Sequence, residues 1–257
     1  MKTLFTSVCL MCCVCLVLGG FSQEVTAAGD GQEQSSKKSN SKVSNATKDQ
    51  GLEEESSEKG IIYRPPQRGA PMGRIAGGTR GPADEIPFIC ALVPEHVGLT
   101  QMSDPNLYWY ISEPSKLKVV LTVNSEDSTL PLLETVLDSP TQEGIQTIKL
   151  SNYEISLEKG QTYTWYVALV PDPKNRSKDL LTRGGIKRIP LTREVRRILK
   201  GQSAEQKTMT CADRGLWYDA LQELMSLANA GPGDSAALQQ LKSLLKQANL
   251  PETIAVE

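Results

Sequence analysis

His96 is the only histidine in the chain, and that count removes most of the chemistry a reader would look for first. Serine and cysteine triads need an imidazole held beside a nucleophile, and most zinc sites need more than one. His96 sits in Pro94-Glu95-His96-Val97-Gly98 with no serine elbow and no second ligand nearby in sequence, so it reads as a hydrogen-bonding residue of a loop. The carboxylates Asp104, Glu113, Glu126, Asp127 and Glu134 fall at loops and strand ends. Glycoside hydrolysis needs two such groups across a cleft, and nothing in their spacing builds one. Asn124-Ser125-Glu126-Asp127 offers oxygens for calcium but lacks EF-hand spacing. The expectation is a chain without catalytic residues, metal or cofactor.

Binding chemistry is better represented. Arg68, Arg74 and Arg80, with Arg64, interleave with prolines and glycines between Arg64 and Gly81. Such a segment either holds an anion with guanidinium groups and exposed amides, or lies extended across a domain with its arginines paired locally. No Gly-Lys-Ser/Thr follows, so it is not a phosphate-binding loop. Tyr108, Trp109 and Tyr110 occupy both faces of one strand, and Tyr166 has opposite parity to Trp165. Rings turned outward would stack on sugars; turned inward they fill the core or meet neighbouring elements. Arg176, in Asp172-Pro173-Lys174-Asn175-Arg176-Ser177, is a further binding candidate or the partner of a carboxylate across a turn.

Composition places these groups. Residues 1–27 read as a secretory signal: Lys2, an apolar run from Leu4 to Phe21, then Val25-Thr26-Ala27 for cleavage before Ala28. The run is also close to membrane-spanning length, which leaves an uncleaved anchor open. None of Cys9, Cys12, Cys13 and Cys15 has the flanking residues of a lipidation site. Beyond the signal only Cys90 and Cys211 remain, either bridged or as separate buried thiols. Residues 28–60 are polar and charged with few apolar positions, the composition of a disordered linker. The net charge of −2 gives no field that would draw the chain to nucleic acid.

Residues 61–190 carry the β signal. Short runs with alternate apolar positions lie at Phe88–Val93, Leu107–Ile111, Leu117–Val123, Leu130–Leu137 and Ile145–Leu150. A strand follows with Tyr163, Trp165, Val167 and Leu169 on one side, and a weaker one spans Leu180–Ile189 with Gly184-Gly185 as a bulge. Leu157-x-x-Gly160-x-x-Tyr163 is the corner of an immunoglobulin-like or fibronectin-like β-sandwich, with the tyrosine hydroxyl returning to upstream backbone. After Pro190 the period changes. Residues 191–250 predict a C-terminal α-helical subdomain: a helix capped by Thr192, a second opened by a Ser203–Gln206 capping box, and two more over 216–230 and 235–248. Ala212-x-x-Gly215-x-x-Tyr218 resembles one tetratricopeptide-type helix, without a repeat.

Several motifs together carry a resemblance. They are Arg64-Pro65-Pro66-x-Arg68-Gly69-Ala70-Pro71, Gly77-Gly78-Thr79-Arg80-Gly81, Ala91-Leu92-Val93-Pro94, Gly98-Leu99-Thr100 and Pro105-x-x-Tyr108-Trp109-Tyr110, continued by Tyr163-x-Trp165, Asp172-Pro173-x-x-Arg176-Ser177 and Gly215-Leu216-Trp217-Tyr218-Asp219-Ala220-Leu221. Over about residues 61–230 the chain resembles the bacterial family catalogued as domain of unknown function 928. The resemblance implies an exported bacterial protein with a sandwich-like body and a helical tail, and carries no functional residue across. Cys90 and Cys211 stand outside its pattern. The expectation is therefore an exported, non-enzymatic interaction or scaffold protein of the periplasm or envelope, or one released outside the cell. Its partner is an envelope protein bound through Arg68, Arg74, Arg80, Arg176, Tyr108 and Tyr110. The alternative is a carbohydrate-binding module using the aromatic sheet face.

Overall fold

A computed structural model describes residues 60–66, 87–230 and 235–254. The signal, the linker up to residue 59, and Arg68, Arg74 and Arg80 lie outside the described residues.

Among the described residues eight strands form two sheets, and four α-helices follow them. The strands are β1 (Ile89–Ala91), β2 (Gly98–Thr100), β3 (Asn106–Ile111), β4 (Lys118–Ser125), β5 (Pro131–Leu137), β6 (Gly144–Lys149), β7 (Thr162–Val170) and β8 (Leu180–Arg188). The smaller sheet has the order β1-β3-β6 and the larger β2-β8-β7-β4-β5. All pairs are antiparallel except β2 with β8. The fold is thus β-rich with C-terminal helices. The short strand β2 was not expected, because its three residues carry too little alternation to stand out.

Alternation explains the core. Val119, Leu121 and Val123 of β4 and Tyr163, Trp165, Val167 and Leu169 of β7 are buried together with Leu107, Trp109 and Ile111 of β3, so both sheets share one apolar core. Thr182 of β8, fully buried, ties the sheets by accepting a hydrogen bond from the Ala91 amide at 2.7 Å. The corner forms as its spacing predicts. Leu157 is buried, Gly160 takes φ +86°, and the Tyr163 hydroxyl accepts from the Glu158 amide at 2.9 Å.

The bulge expected at Gly184-Gly185 does not occur: β7 and β8 stay in register from Thr162↔Lys187 to Leu169↔Leu180. Gly184 serves close approach instead. A Cβ there would lie 2.7 Å from the Trp165 ring and 2.8 Å from Val93. The irregularity falls between β4 and β5, at Val123/Asn124.

The helices are α1 (Arg193–Lys200), α2 (Ala204–Asp213), α3 (Trp217–Ala230) and α4 (Ser235–Gln247). Thr192 caps α1 by accepting from the Val195 amide, and Ser203 and Gln206 close a reciprocal capping box on α2. These helices share the sheets' core: Trp217, Tyr218, Leu221 and Leu224 cluster with Leu92, Val93 and Trp165. Three successive residues of α3 make the joint. Trp217 Nε1 donates to the Leu92 carbonyl at 2.9 Å. The Tyr218 hydroxyl accepts from Trp165 Nε1 and donates to the Gly185 carbonyl, each at 2.9 Å. Asp219 Oδ2 accepts from the Gln101 amide at 3.2 Å. Residues 61–63 run against the helices: Gln247 accepts from the Tyr63 amide and donates to the Ile61 carbonyl, and the Arg64 amide donates to the Ala212 carbonyl.

Candidate functional site

Of the residues expected to bind, those described lie on separate elements, Tyr108 and Tyr110 on β3 and Arg176 in the turn before β8. Tyr108 and Tyr110 are buried, at 3% and 6% exposure, so the outward pair of rings that sugar stacking requires is absent. The reason is that β3 is the central strand of its sheet and is covered on both faces. Trp109 enters the shared core while Tyr108, on the other side, bonds Asn106, and Tyr110 packs against Phe88. Arg176 is exposed in a 3₁₀ turn, Arg176–Lys178, and its Nε meets Asp179 Oδ2 at 2.5 Å. It is the partner of a carboxylate that is itself largely shielded from water. Arg64, in the described part of the arm, pairs with Asp213 at 2.8 Å.

His96 is structural. Its Nε2 lies 2.9 Å from the Tyr63 hydroxyl, the two rings stack, and Tyr63 meets Trp217 edge-on. Desolvation lowers the imidazole's pKa against an opposing pull from Glu95, so the ring is held toward its neutral form. Cys90 and Cys211 are separate buried thiols, not bridged. Burial, with Asp219 and Glu223 adding to it, pushes the Cys211 thiol up to about 12, which makes it a poor nucleophile. Among the described residues no group of three His, Cys, Asp or Glu side chains could hold a metal ion.

Two features that sequence reasoning did not pick out carry more chemical potential. The first is the edge of the larger sheet. Strand β5 ends the order, so among the described residues no strand pairs with one side of its backbone. Leu130 before it and Val136 within it are 74% and 58% exposed, and Leu132 is exposed as well. Inward from that edge, a row of apolar residues crosses the outer face: Val136 opposite Val120, Val120 opposite Ala168, Ala168 opposite Leu181. Val120 and Ala168 with Val170 form a cluster separate from the main core. The available signal was parity, since Val120 and Ala168 alternate with the core residues of their strands.

The second is a cavity of about 280 Å³ where α1, α2 and α3 meet the Gln101-Met102 turn. Arg196 and Lys200 of α1 and Lys207 of α2 stand in its wall with Cys211, Asp219, Gln222 and Glu223. Asp219 is 4% exposed, and its Oδ1 has no hydrogen-bond partner. Desolvation raises its carboxyl to about 6, against hydrogen bonding from Thr100 and Gln101. Asp219 lies in the first turn of α3, where a helix start favours a carboxylate, but its burial against the Gln101 turn is the larger fact. A second cavity, about 350 Å³ beside Ile61, Met209 and Ser243, has no charged residue among the described residues of its wall.

A two-sheet body closed by four helices, with a buried joint of Trp217, Tyr218 and Asp219, is the class of protein these features define. Residues 75–257 match the family described as Domain of Unknown Function (DUF928), and the chain belongs to that family. Comparison with curated proteins finds none that matches.

Proposed function

We propose that this chain is an exported, non-enzymatic interaction module of the bacterial envelope that accepts an extended strand of a partner protein along β5. The observation carrying the proposal is the edge of β5, which no described strand covers, with Leu130, Leu132 and Val136 exposed beside it. An unpaired strand offers a row of amides and carbonyls, and natural edges are usually guarded by lysine, proline or a covering element. Pro131 and Glu134 are the only such guards on β5, and Pro131 stands at its first residue. An added strand would satisfy the backbone groups and cover the apolar side chains together. Among the described residues no helix is long and apolar enough to cross a membrane. Export rests on the signal-like sequence of residues 1–27.

The body is read as an immunoglobulin-like sandwich. The order β1-β3-β6 follows the A-B-E strands of that fold and β8-β7-β4-β5 follows G-F-C-C′. Tyr163 makes the tyrosine-corner bond, which in antibody domains lies two residues before the second bridging cysteine. Trp165 stands at that position here, and its contacts to Tyr218 take over the tie across the interior.

The test is retention of envelope proteins by the whole chain and by a Leu132→Lys/Val136→Lys variant. A partner held by the first and lost by the second, with a photo-crosslinker at position 136 reaching that same protein, is the expected result. Equal retention by both chains overturns the edge as the docking place. Fractionation that leaves the chain in the cytosol overturns export.

A further inference from the structure

We infer that the cavity between α1, α2, α3 and the Gln101-Met102 turn is a binding site for a small zwitterion, an amino acid or short peptide whose ammonium meets Asp219 and whose carboxylate meets Arg196, Lys200 and Lys207. This is independent of the β5 edge and goes beyond the interaction role proposed from it.

The argument begins with the charge layout. Three cations line the cavity, and no ion pair neutralises them among the described residues. Arg196 and Lys200 are exposed and Lys207 is half-buried, so positive charge faces the mouth. At the opposite extreme of exposure is Asp219, nine-tenths buried, one oxygen committed to the Gln101 amide and the other unpartnered. Buried carboxylate oxygens are rarely left without a donor, because the desolvation cost is then uncompensated. A ligand that brings a donor to Oδ1 relieves that cost, and an ammonium relieves the most of it. A simple anion would gain from the cations but would add negative charge beside Asp219. A simple amine would reach Asp219 past three positive groups. Only a molecule with both ends is suited to the whole wall.

Size and rigidity agree. The volume lies near the lower end of the usual range for ligand pockets, roughly 300–1,000 Å³, which suits a molecule of amino-acid or dipeptide size. The wall is preorganised. Gln101 is held from both sides, its amide on Asp219 and its carbonyl accepting from Arg188 Nε at 3.2 Å. Gln222 is fixed by accepting from the Asn106 amide at 3.0 Å. A preformed wall loses little entropy on binding. Cys211 lies in the same wall as a protonated thiol and contributes shape, not charge.

The experiment is isothermal titration of the whole chain with glycylglycine, alanine, acetate and methylamine, with amide chemical-shift mapping of Gln101, Asp219 and Gln222. Glycylglycine or alanine is expected to bind, and acetate and methylamine to bind at least about tenfold more weakly, since each keeps one charge-assisted contact of the two. Asp219→Asn keeps an acceptor for the Gln101 amide, so the fold survives, and it should weaken the zwitterion roughly ten- to a hundredfold. Lys207→Ala and Arg196→Ala, outside the core, should weaken it together with acetate and leave the melting temperature unchanged. Lowering the pH through about 6 should weaken zwitterion binding in the native chain and leave Asp219→Asn unaffected. The other titratable or charged groups of the wall are Arg196, Lys200, Lys207, Cys211 and Glu223. Glu223→Gln, the control for the nearby acid, should retain the pH response. Acetate binding as tightly as glycylglycine, indifference to Asp219→Asn, or no binding by any probe up to about 20 mM overturns the inference.

Discussion

Replacing Tyr218 with phenylalanine removes one oxygen and keeps the ring that packs beneath Gly98. That oxygen accepts from Trp165 Nε1 and donates to the Gly185 carbonyl, at 2.9 Å in both cases. Trp165 and Tyr218 are 0% and 1% exposed, so water does not take the place of the lost hydroxyl. The indole N–H is a donor only and has no alternative role. An orphaned buried donor costs about 1–3 kcal/mol and the second lost bond about 1 kcal/mol more, so destabilisation of ~2–4 kcal/mol is expected. For a folded body of this size, that lowers the melting temperature by roughly 4–15 °C. Urea and thermal unfolding followed by circular dichroism measure it. A double-mutant cycle with Trp165→Phe isolates the contact, because the volume lost from the indole cancels in the cycle. A coupling of about 1 kcal/mol or more is expected. A drop of less than about 2 °C, or strict additivity in the cycle, would refute the reasoning that this bond joins helix to sheet.

Asp219 gives a pH signature. Its folded carboxyl is held up at about 6 while the unfolded chain releases the proton near the ordinary value, so its stability contribution is complete in acid and is lost as pH rises through about 6. Asp219→Asn should therefore gain on the native chain by on the order of 2–3 kcal/mol between about pH 4 and pH 7, read by urea denaturation at both. Gly215 has φ +70°, and a Cβ there would stand 2.7 Å from the Arg64 carbonyl. Gly215→Ala should loosen residues 60–66, seen as faster amide exchange at Tyr63 and Arg64 with the sheets unaffected. Arg176→Ala should cost ~1–2 kcal/mol, above the value for an exposed pair, because Asp179 is shielded from water. A loss below about 0.3 kcal/mol would free Arg176 for a role in binding.

What could be read from the residues was periodic. The Leu157–Gly160–Tyr163 corner, the inward parity of Trp165 and Val167, and the caps at Thr192 and Ser203 are local patterns, and each formed where its spacing predicts. The missed parts depend on contacts distant in sequence. Gly184 looked like a bulge because a glycine pair in a strand usually marks one, and only the Trp165 ring opposite reveals the space it opens. Tyr108 and Tyr110 looked available because a strand exposes one face unless something covers it, and sequence does not say what covers β3. Trp217-Tyr218-Asp219 read as the start of an amphipathic helix, yet its three polar atoms reach Leu92, Gly185 and Gln101, more than thirty residues away in each case. The cavity wall draws on four separate segments, so its charge layout had no sequence counterpart.

The clasp of Gln247 on both sides of residues 61–63 has a mechanical meaning. Tension reaching the body through the preceding chain is taken up first by Gln247 with Ile61 and Tyr63, then by Arg64 with Ala212 and Asp213. Those bonds tie the entering segment to α4 and to the end of α2, while the Tyr63 hydroxyl reaches His96 on the connection between β1 and β2, so a pull on it is shared between the helices and the loop that leads into β2.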